Sequence, residues 1–209
     1  MHLADILLIA VKPQNLDELL REIGPALRAD LLLITICAGC PTTLFEAAAP
    51  APLRVVRAMP NLPARVRMSA TALCGGRHAM PADLALAGEI FGAVGKTVVV
   101  EERFMDAVTA LSGSGPAYFF YLVEALVAAA QREGLSAEVA RALAVQTARG
   151  AAEMLCVEEV APEELRRRVT SKGGTTEAAF RRLDELKVRD AFLDALRAAV
   201  LRARELGRK

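Results

Sequence analysis

The pattern of apolar residues changes near residue 100, and this change constrains the fold more than any other feature. Before it, short apolar runs at residues 4–11, 31–38 and 53–59 alternate with segments of helical spacing. Such runs are typical of strands buried on both faces of a parallel sheet. After residue 100 only helical patterns remain. The sequence therefore predicts an α/β part with a parallel sheet over residues 1–102, followed by an all-α domain over residues 103–209.

Helix signals divide the second half into several segments. Ser136 is placed to cap a helix that runs to about Cys156, and Pro162 occupies the first position of the next helix. The helical segments between residues 104 and 155 are apolar over too much of their circumference to cover one another. We therefore expect the second half to pack against another copy, as a homodimer or a multiple of dimers.

Charge and apolar content exclude several classes of protein. The 209 residues carry 26 basic and 25 acidic side chains, which provide no excess of positive charge for nucleic acid or a membrane surface. No apolar run is as long as a membrane-spanning helix, and no secretory signal is visible, so a soluble cytoplasmic protein is expected. A Ser/His/Asp hydrolase is disfavoured because neither His2 nor His78 follows a strand and no G-x-S-x-G occurs.

Cys37 and Cys40 form a C-x-x-C pair in "ICAGC". Such a pair serves as a redox dithiol or as half of a zinc site, and a zinc site needs a second matching pair. Cys74 and Cys156 stand alone in the sequence. The pattern favours reduced cysteines near a strand end and predicts no metal site.

Small or polar residues follow each of the first three predicted strands, in "AVKP", "CAG" and "MPN". Ligands bind outside the carboxyl ends of strands in open α/β sheets, so Lys12 is well placed to meet one. A solvated lysine in a tight turn is the alternative. Three such strand ends together favour a shared cleft.

The segment "VTSKGGTT" precedes a helical pattern with more hydroxyl groups than one helix cap needs. The exposed N–H groups of a helix N-terminus bind anions, and glycines allow close approach to the backbone. Taken alone, this segment is compatible with an anion site or with an elaborate N-cap.

The motifs "AVKPQ", "RAMPN", "ALSGSGPAYFF", "LAVQTARGAAEML" and "VTSKGGTT" occur in an order and spacing that resembles the pyrroline-5-carboxylate reductase family. The resemblance extends from about Ala4 to Leu206. It implies NAD(P)H-dependent reduction of 1-pyrroline-5-carboxylate to L-proline, the last step of proline biosynthesis. It also implies a Rossmann-like domain followed by a helical domain that interlocks with a second subunit.

The resemblance also assigns roles to residues. The loop before the helix would hold the substrate carboxylate, and the Thr176 hydroxyl would lie near the imine nitrogen as the catalytic group. The substrate-binding residues would be Ser171, Gly173, Gly174, Thr175 and Thr176. The nicotinamide side of the cleft, for NADPH or NADH, would be lined by Ala10, Val11, Lys12, Pro13, Ala38, Met59, Pro60 and Asn61.

The sequence departs from the family pattern in three respects. Lys172 stands where the family usually has proline, and Leu62 replaces a common threonine. The third departure is that no G-x-G-x-x-G occurs, whereas the family begins with a glycine-rich turn that binds the pyrophosphate. We expect the chain to start beyond that turn, to lack the residues that distinguish NADH from NADPH, and to bind the dinucleotide weakly by itself.

Two hypotheses follow from these departures. The chain is either a reductase whose first strands are missing from this sequence, or a non-catalytic paralogue or fragment that retains the helical dimerisation domain. An in-frame strand and glycine-rich turn encoded upstream of Met1 would support the first hypothesis. Stop codons there would support the second.

Overall fold

The computed structural model describes residues 4–207, which form two compact units. One unit comprises the residues up to Pro116 and those from Leu196 onward, and the other comprises Ala117–Ala195. The boundary predicted at residue 102 falls inside the first unit, and the division into domains there stays a prediction.

The first unit contains a five-stranded sheet in the order β1-β2-β3-β4-β5. Its strands are β1 (Ile6–Ile9), β2 (Leu32–Thr35), β3 (Arg54–Met59), β4 (Ser69–Gly75) and β5 (Gly95–Val99). The first three strands lie within the apolar runs predicted as strands. The parallel pairs are β1 with β2, β2 with β3, and β4 with β5. The sheet is therefore mostly parallel, as the apolar runs predict.

The pairing of β3 with β4 is antiparallel, which the sequence analysis did not predict. The connection between these strands contains only a short 3₁₀ helix, Leu62–Val66. A parallel crossover needs a dozen or more residues, and this connection is too short to provide one. The direction of β4 follows from that length.

Helices cover both faces of this sheet. The helices of the chain are α1 (Leu16–Ile23), α2 (Thr42–Ala48), α3 (Pro81–Gly92), α4 (Met105–Val108), α5 (Gly115–Arg132), α6 (Ala137–Val157), α7 (Pro162–Arg168), α8 (Thr175–Glu185) and α9 (Val188–Leu206). Leu33 packs with α1 and α2 on one face, whereas its neighbours Leu32 and Ile34 pack with α3 on the other. This alternation explains why β2 has no exposed side chain and reads as a continuous apolar run.

A π-helical segment, Thr109–Gly113, connects α4 to α5. The Ser114 N–H donates to the Thr109 carbonyl at 2.8 Å, five residues back. Single π turns inside helices occur frequently at functional sites. This π turn lies inside the part of the chain that the sequence analysis predicts to be helical.

The second unit is entirely helical, and its caps agree with the sequence. The Ser136 hydroxyl accepts a hydrogen bond from the Val139 N–H at 3.3 Å, and Pro162 begins α7. Ala140 is the single buried residue between Ala117 and Ala195, a stretch that the structure describes completely. Many large apolar side chains here are exposed, among them Phe119, Phe120 and Tyr121. The described part of the chain contains no helix that is both long enough and apolar enough to cross a membrane.

Candidate functional site

The carboxyl ends of β1, β2 and β3 lie side by side. The strands are parallel neighbours, with Ile9 opposite Thr35 and Thr35 opposite Arg57. The segments that leave these strands, residues 10–13, 36–41 and 60–61, therefore emerge at the same edge of the sheet. Ligands bind at this edge in open α/β sheets. The structure thus brings together the strand ends whose residues the sequence analysis placed on the nicotinamide side.

The residues of the proposed nicotinamide side are exposed or half-buried, and two of them, Ala10 and Ala38, have small side chains. Ala10 and Lys12 are exposed, and Ala38 and Pro60 are half-buried. Lys12 has extended backbone angles and precedes the 3₁₀ turn Pro13–Asn15. Small side chains at strand ends leave room for a flat ring against the backbone.

Cys37 contributes to the shape of this edge. Its buried thiol donates to the Val11 carbonyl at 3.3 Å and so ties the end of β1 to the loop after β2. Burial, with a smaller contribution from the neighbouring Cys37, raises the pKa of the Cys40 thiol to about 11. Reactive thiols have a lowered pKa, so Cys40 does not have the electrostatics of a reactive thiol.

The described residues contain no cluster of three or more His, Cys, Asp or Glu side chains that could hold a metal ion. His2, which the sequence analysis considered as a hydrolase histidine, lies outside the described part of the chain.

Glu102 anchors the loop that carries Ala38. Its carboxylate accepts hydrogen bonds from the Thr42 N–H at 2.7 Å and from the Thr42 hydroxyl at 2.8 Å. The buried Arg57 side chain lies beside the same carboxylate, with an Nη1–Oε1 distance of 3.6 Å. A buried charge needs a partner, and Glu102 provides one for Arg57 while it fixes the start of α2. The sequence analysis missed this pair because its members are 45 residues apart in the printed sequence.

An open cavity of about 510 Å³ lies next to this anchor. Gly39, Arg57, Glu102 and Arg204 are among its lining residues. A second cavity of about 460 Å³ lies near the start of β3 and includes His78, but none of the predicted site residues. The first cavity is therefore the one that borders a predicted strand end.

Both the oxygen and the nitrogen of the Asn61 side-chain amide hydrogen-bond to protein atoms. Its Oδ1 accepts from the Ala70 N–H at 3.1 Å and from the Ser69 hydroxyl at 3.2 Å. Its Nδ2 donates to the Ser112 carbonyl at 3.0 Å. The motif "MPN" is thus in direct contact with the motif "LSGSGP", a link that the sequence analysis did not foresee.

In the second unit, the loop Ser171–Gly174 leads into the N-terminus of α8. Gly173 has a φ of +74°, a conformation that favours glycine. A Cβ on Gly174 would lie 2.5 Å from the Ser171 Oγ. The two adjacent glycines are therefore required for different reasons. Gly173 adopts a backbone conformation that favours glycine, and Gly174 leaves space for the Ser171 side chain.

The amides of this loop differ in their availability to a ligand. The Gly174 N–H donates to the Ser171 carbonyl at 3.0 Å, and the Gly173 N–H donates to the Glu177 carboxylate at 2.8 Å. Thr175 and Thr176 begin α8, where N–H groups have no acceptor within the helix. The Gly173 N–H therefore already has a carboxylate partner within the chain.

Comparison with known proteins identifies the family. Residues 102–206 match the family model described as pyrroline-5-carboxylate reductase dimerisation. A pyrroline-5-carboxylate reductase of Methanosarcina acetivorans is 44% identical over 206 residues, which cover 99% of this chain and 76% of the relative. This chain belongs to the pyrroline-5-carboxylate reductase family.

Further relatives agree with this assignment. The pyrroline-5-carboxylate reductase of Pseudomonas aeruginosa is 44% identical over 97% of this chain and 75% of its own length. The structure of a pyrroline-5-carboxylate reductase from Coxiella burnetii matches with a TM-score of 0.92 at 41% identity, over 98% of this chain and 76% of that one. The Plasmodium falciparum pyrroline carboxylate reductase with NADP bound matches with a TM-score of 0.90 at 30% identity, over 98% and 78%. The chain thus spans about three quarters of the length of these relatives.

Proposed function

We propose that this chain acts as a pyrroline-5-carboxylate reductase, which reduces 1-pyrroline-5-carboxylate to L-proline with NAD(P)H. The observation that carries this proposal is the family membership, with 44% identity over 99% of the chain. The alternative, a non-catalytic paralogue or fragment, has no observation that favours it. The reductase therefore stands as the function.

The described residues fit the nicotinamide half of the cofactor. The edge formed by the ends of β1, β2 and β3 carries the small side chains of Ala10 and Ala38, which leave room for a flat ring. One relative has been solved with NADP bound. We propose that Ala10, Val11, Lys12, Pro13, Ala38, Met59, Pro60 and Asn61 line this edge, with Asn61 contributing through its backbone. NADPH and NADH both remain open as the reductant.

The loop before α8 is the proposed substrate site. A carboxylate at the positive end of a helix needs several N–H donors and no arginine. Ser171, Gly173, Gly174, Thr175 and Thr176 supply these donors in the proposal. In the structure the Glu177 carboxylate accepts from the Gly173 N–H and the Ser171 carbonyl accepts from the Gly174 N–H, so the substrate would replace these contacts or bind at Thr175 and Thr176.

The reaction requires little from the protein beyond alignment of the cofactor with the imine carbon. The bound cofactor supplies the hydride that the imine carbon receives, while the imine nitrogen gains a proton. The proposed role of the Thr176 hydroxyl is to hydrogen-bond at that nitrogen and orient the ring. Alignment of two bound reactants accounts for a large part of the rate in such reactions.

The chain acts as a homodimer or a multiple of dimers. Its match to a dimerisation family covers the helices whose apolar side chains are exposed in the single chain. We keep the cytoplasm as the proposed location, because the four cysteines are free, as expected in a reducing compartment.

The substitution Thr176→Ala tests the substrate site. Removal of a hydrogen bond to a charged or reacting group typically costs about 1.5–3 kcal/mol, so turnover of 1-pyrroline-5-carboxylate should fall roughly ten- to a hundredfold. Steady-state kinetics, followed through NADPH consumption, measures this change. Thermal melts recorded alongside separate it from a loss of fold.

Thr170→Ala is the matched control. Thr170 follows the end of α7, and its hydroxyl donates to the Arg166 carbonyl at 2.7 Å, so the substitution removes the same atoms from a residue outside the proposed site. The control should keep wild-type kinetics. Equal kinetics in Thr176→Ala and wild type would refute the assigned role of Thr176, whereas absence of any imine reduction by the wild-type protein would refute the reductase function itself.

A further inference from the structure

The side chain of Asn61 joins two segments that are far apart in the sequence. Its Nδ2 donates to the Ser112 carbonyl at 3.0 Å, and its Oδ1 accepts from the Ala70 N–H and the Ser69 hydroxyl. Ser69 is buried and also shares a hydrogen bond of 2.9 Å with the buried Thr71. The amide therefore belongs to a polar network inside the first unit, with its donor and acceptor groups both in use.

The Ser112 carbonyl requires this donor because of the local sequence. In a regular α-helix this carbonyl would accept from the N–H of residue 116, four positions further on. Residue 116 is proline, which has no N–H. The Asn61 amide takes the place of that missing donor.

Packing reinforces the same contact. A Cβ on Gly113 would lie 2.7 Å from the Met59 Cε, so the π-helical segment lies directly on the side chain at the end of β3. Met59 and Asn61 come from one motif, and Ser112 and Gly113 come from the other. Two neighbouring contacts, one polar and one apolar, thus join the strand end to the π-helical segment.

We infer that Asn61 is a positioning residue, which holds the π-helical segment Thr109–Gly113 against the end of β3. This inference rests on the proposed function, in which the end of β3 lines the nicotinamide side. Asn61 serves the reaction through the Ser112 carbonyl, and its side chain does not bind the cofactor. Its substitution should therefore disturb the alignment of the reactants more than the binding of either.

The substitution Asn61→Asp tests this role, because it keeps the size of the side chain and removes the donor to Ser112. Hydrogen exchange of the Ser114 N–H, which donates to the Thr109 carbonyl, reports on the π-helical segment. We expect the protection of the Ser114 N–H to fall about tenfold or more. In the variant the Ser112 carbonyl has lost its donor and lies next to a carboxylate oxygen instead. The Val100 N–H, bonded to the Leu73 carbonyl elsewhere in the sheet, should keep its protection.

Asn15→Asp is the matched control. Asn15 precedes α1, is exposed, and makes no capping hydrogen bond with its side chain. The chemical change is the same, and the protection of the Ser114 N–H should remain at the wild-type value. This control separates the loss of the Ser112 contact from the effect of an added negative charge.

Combining Asn61→Asp with a second substitution identifies the atom through which Asn61 acts. Pro116→Ala supplies an N–H four residues after Ser112, so the carbonyl gains a donor within its own helix. Asn61→Asp should then cost at least threefold less protection in the Pro116→Ala background than in the wild type, which a double-mutant cycle measures. An equal loss in both backgrounds would show that Asn61 does not act through the Ser112 carbonyl.

Kinetics complete the test. Asn61→Asp should lower kcat at least tenfold and leave KM for the cofactor within about threefold, because alignment is lost and binding is kept. A raised KM for the cofactor with unchanged kcat would instead indicate a direct cofactor contact and overturn the inference. Unchanged exchange at Ser114, or equal losses at Ser114 and Val100, would also overturn it. The exchange measurements need no substrate, so they decide this role even if the reductase function fails.

Discussion

The two units of this chain bury their apolar residues in different ways. In the first unit, Leu32 and Leu33 alternate between two cores, one on each face of the sheet, and both are almost completely buried. In the second unit, Ala140 is the single buried residue of Ala117–Ala195, while Phe119 and Tyr121 are more than 65% exposed, at 67% and 69%.

The two units therefore differ in the source of their stability. The first unit gains its stability from contacts within one chain, because helices cover both faces of its sheet. The second unit exposes too much contiguous apolar surface for a protein that stays monomeric. Its helices obtain a core from a second copy, in agreement with the dimerisation family that it matches.

The largest effect is expected from a charge on the exposed apolar surface of α5. Phe120 is 60% exposed in the single chain. In a two-fold dimer, Phe120→Glu would place an unpaired carboxylate in each half of the apolar interface, at a cost well above that of an unpaired neutral group. The dissociation constant should rise a hundredfold or more, equivalent to about 3 kcal/mol. Sedimentation velocity across micromolar concentrations measures the change.

Val66→Glu is the control for this prediction. Val66 is an exposed apolar residue of the first unit, at 69%. The same type of change there should leave the dimer intact. An unchanged dimer dissociation constant in Phe120→Glu would show that α5 does not use this side chain for assembly. At α5, the second unit would then not differ from the first by taking its core from a second copy.

Much of the fold could be predicted from the sequence, since the apolar runs match the strands and the caps at Ser136 and Pro162 match the helix starts. The antiparallel direction of β4 was missed, because an apolar run carries no information on strand direction. The π turn at Thr109–Gly113 was also missed. Its hydrogen bonds differ from those of an α-helix by one residue, and Pro116 is the one local signal for it.

The candidate site was predictable to a smaller extent. The position of Lys12 at a strand end and of "VTSKGGTT" at a helix N-terminus follow from periodicity, whereas the role proposed for Thr176 came from the family resemblance. The contacts of Asn61 with Ser112 and of Glu102 with Thr42 depend on how distant segments pack. Such pairs have no sequence pattern, so the sequence could indicate the motifs but not the connections between them.

The second prediction tests the core of the first unit. Leu33 belongs to β2 and is completely buried against the helices on one face of the sheet. Leu33→Ala should lower the free energy of unfolding by about 2–5 kcal/mol, because apolar contacts are lost and a cavity remains. Urea denaturation at several protein concentrations measures it. The size of the loss should not depend on concentration, in contrast to the effect of Phe120→Glu.

An increase in the dimer dissociation constant of Leu33→Ala, measured under native conditions, would contradict this prediction. It would mean that the core of the sheet and the helical assembly are coupled. The stabilities of the two units could then not be treated as separate contributions.

The smallest effect is expected at Lys172, in the loop before α8. Lys172 is exposed, and no backbone hydrogen bond in the described part of the chain uses its N–H, so proline removes no donor there. If the local φ suits the ring, Lys172→Pro should raise the free energy of unfolding by about 0.4–1 kcal/mol, since the unfolded chain loses conformational freedom. Thermal melts measure this gain, and Lys187→Pro provides the contrast, because Lys187 has a φ of +53° that proline cannot adopt. A loss of stability in Lys172→Pro comparable to that in Lys187→Pro would show that the loop needs a conformation that proline excludes. The difference from the family at this position would then reflect a different backbone path before Gly173, and the substrate site proposed there would have to be redrawn around that path.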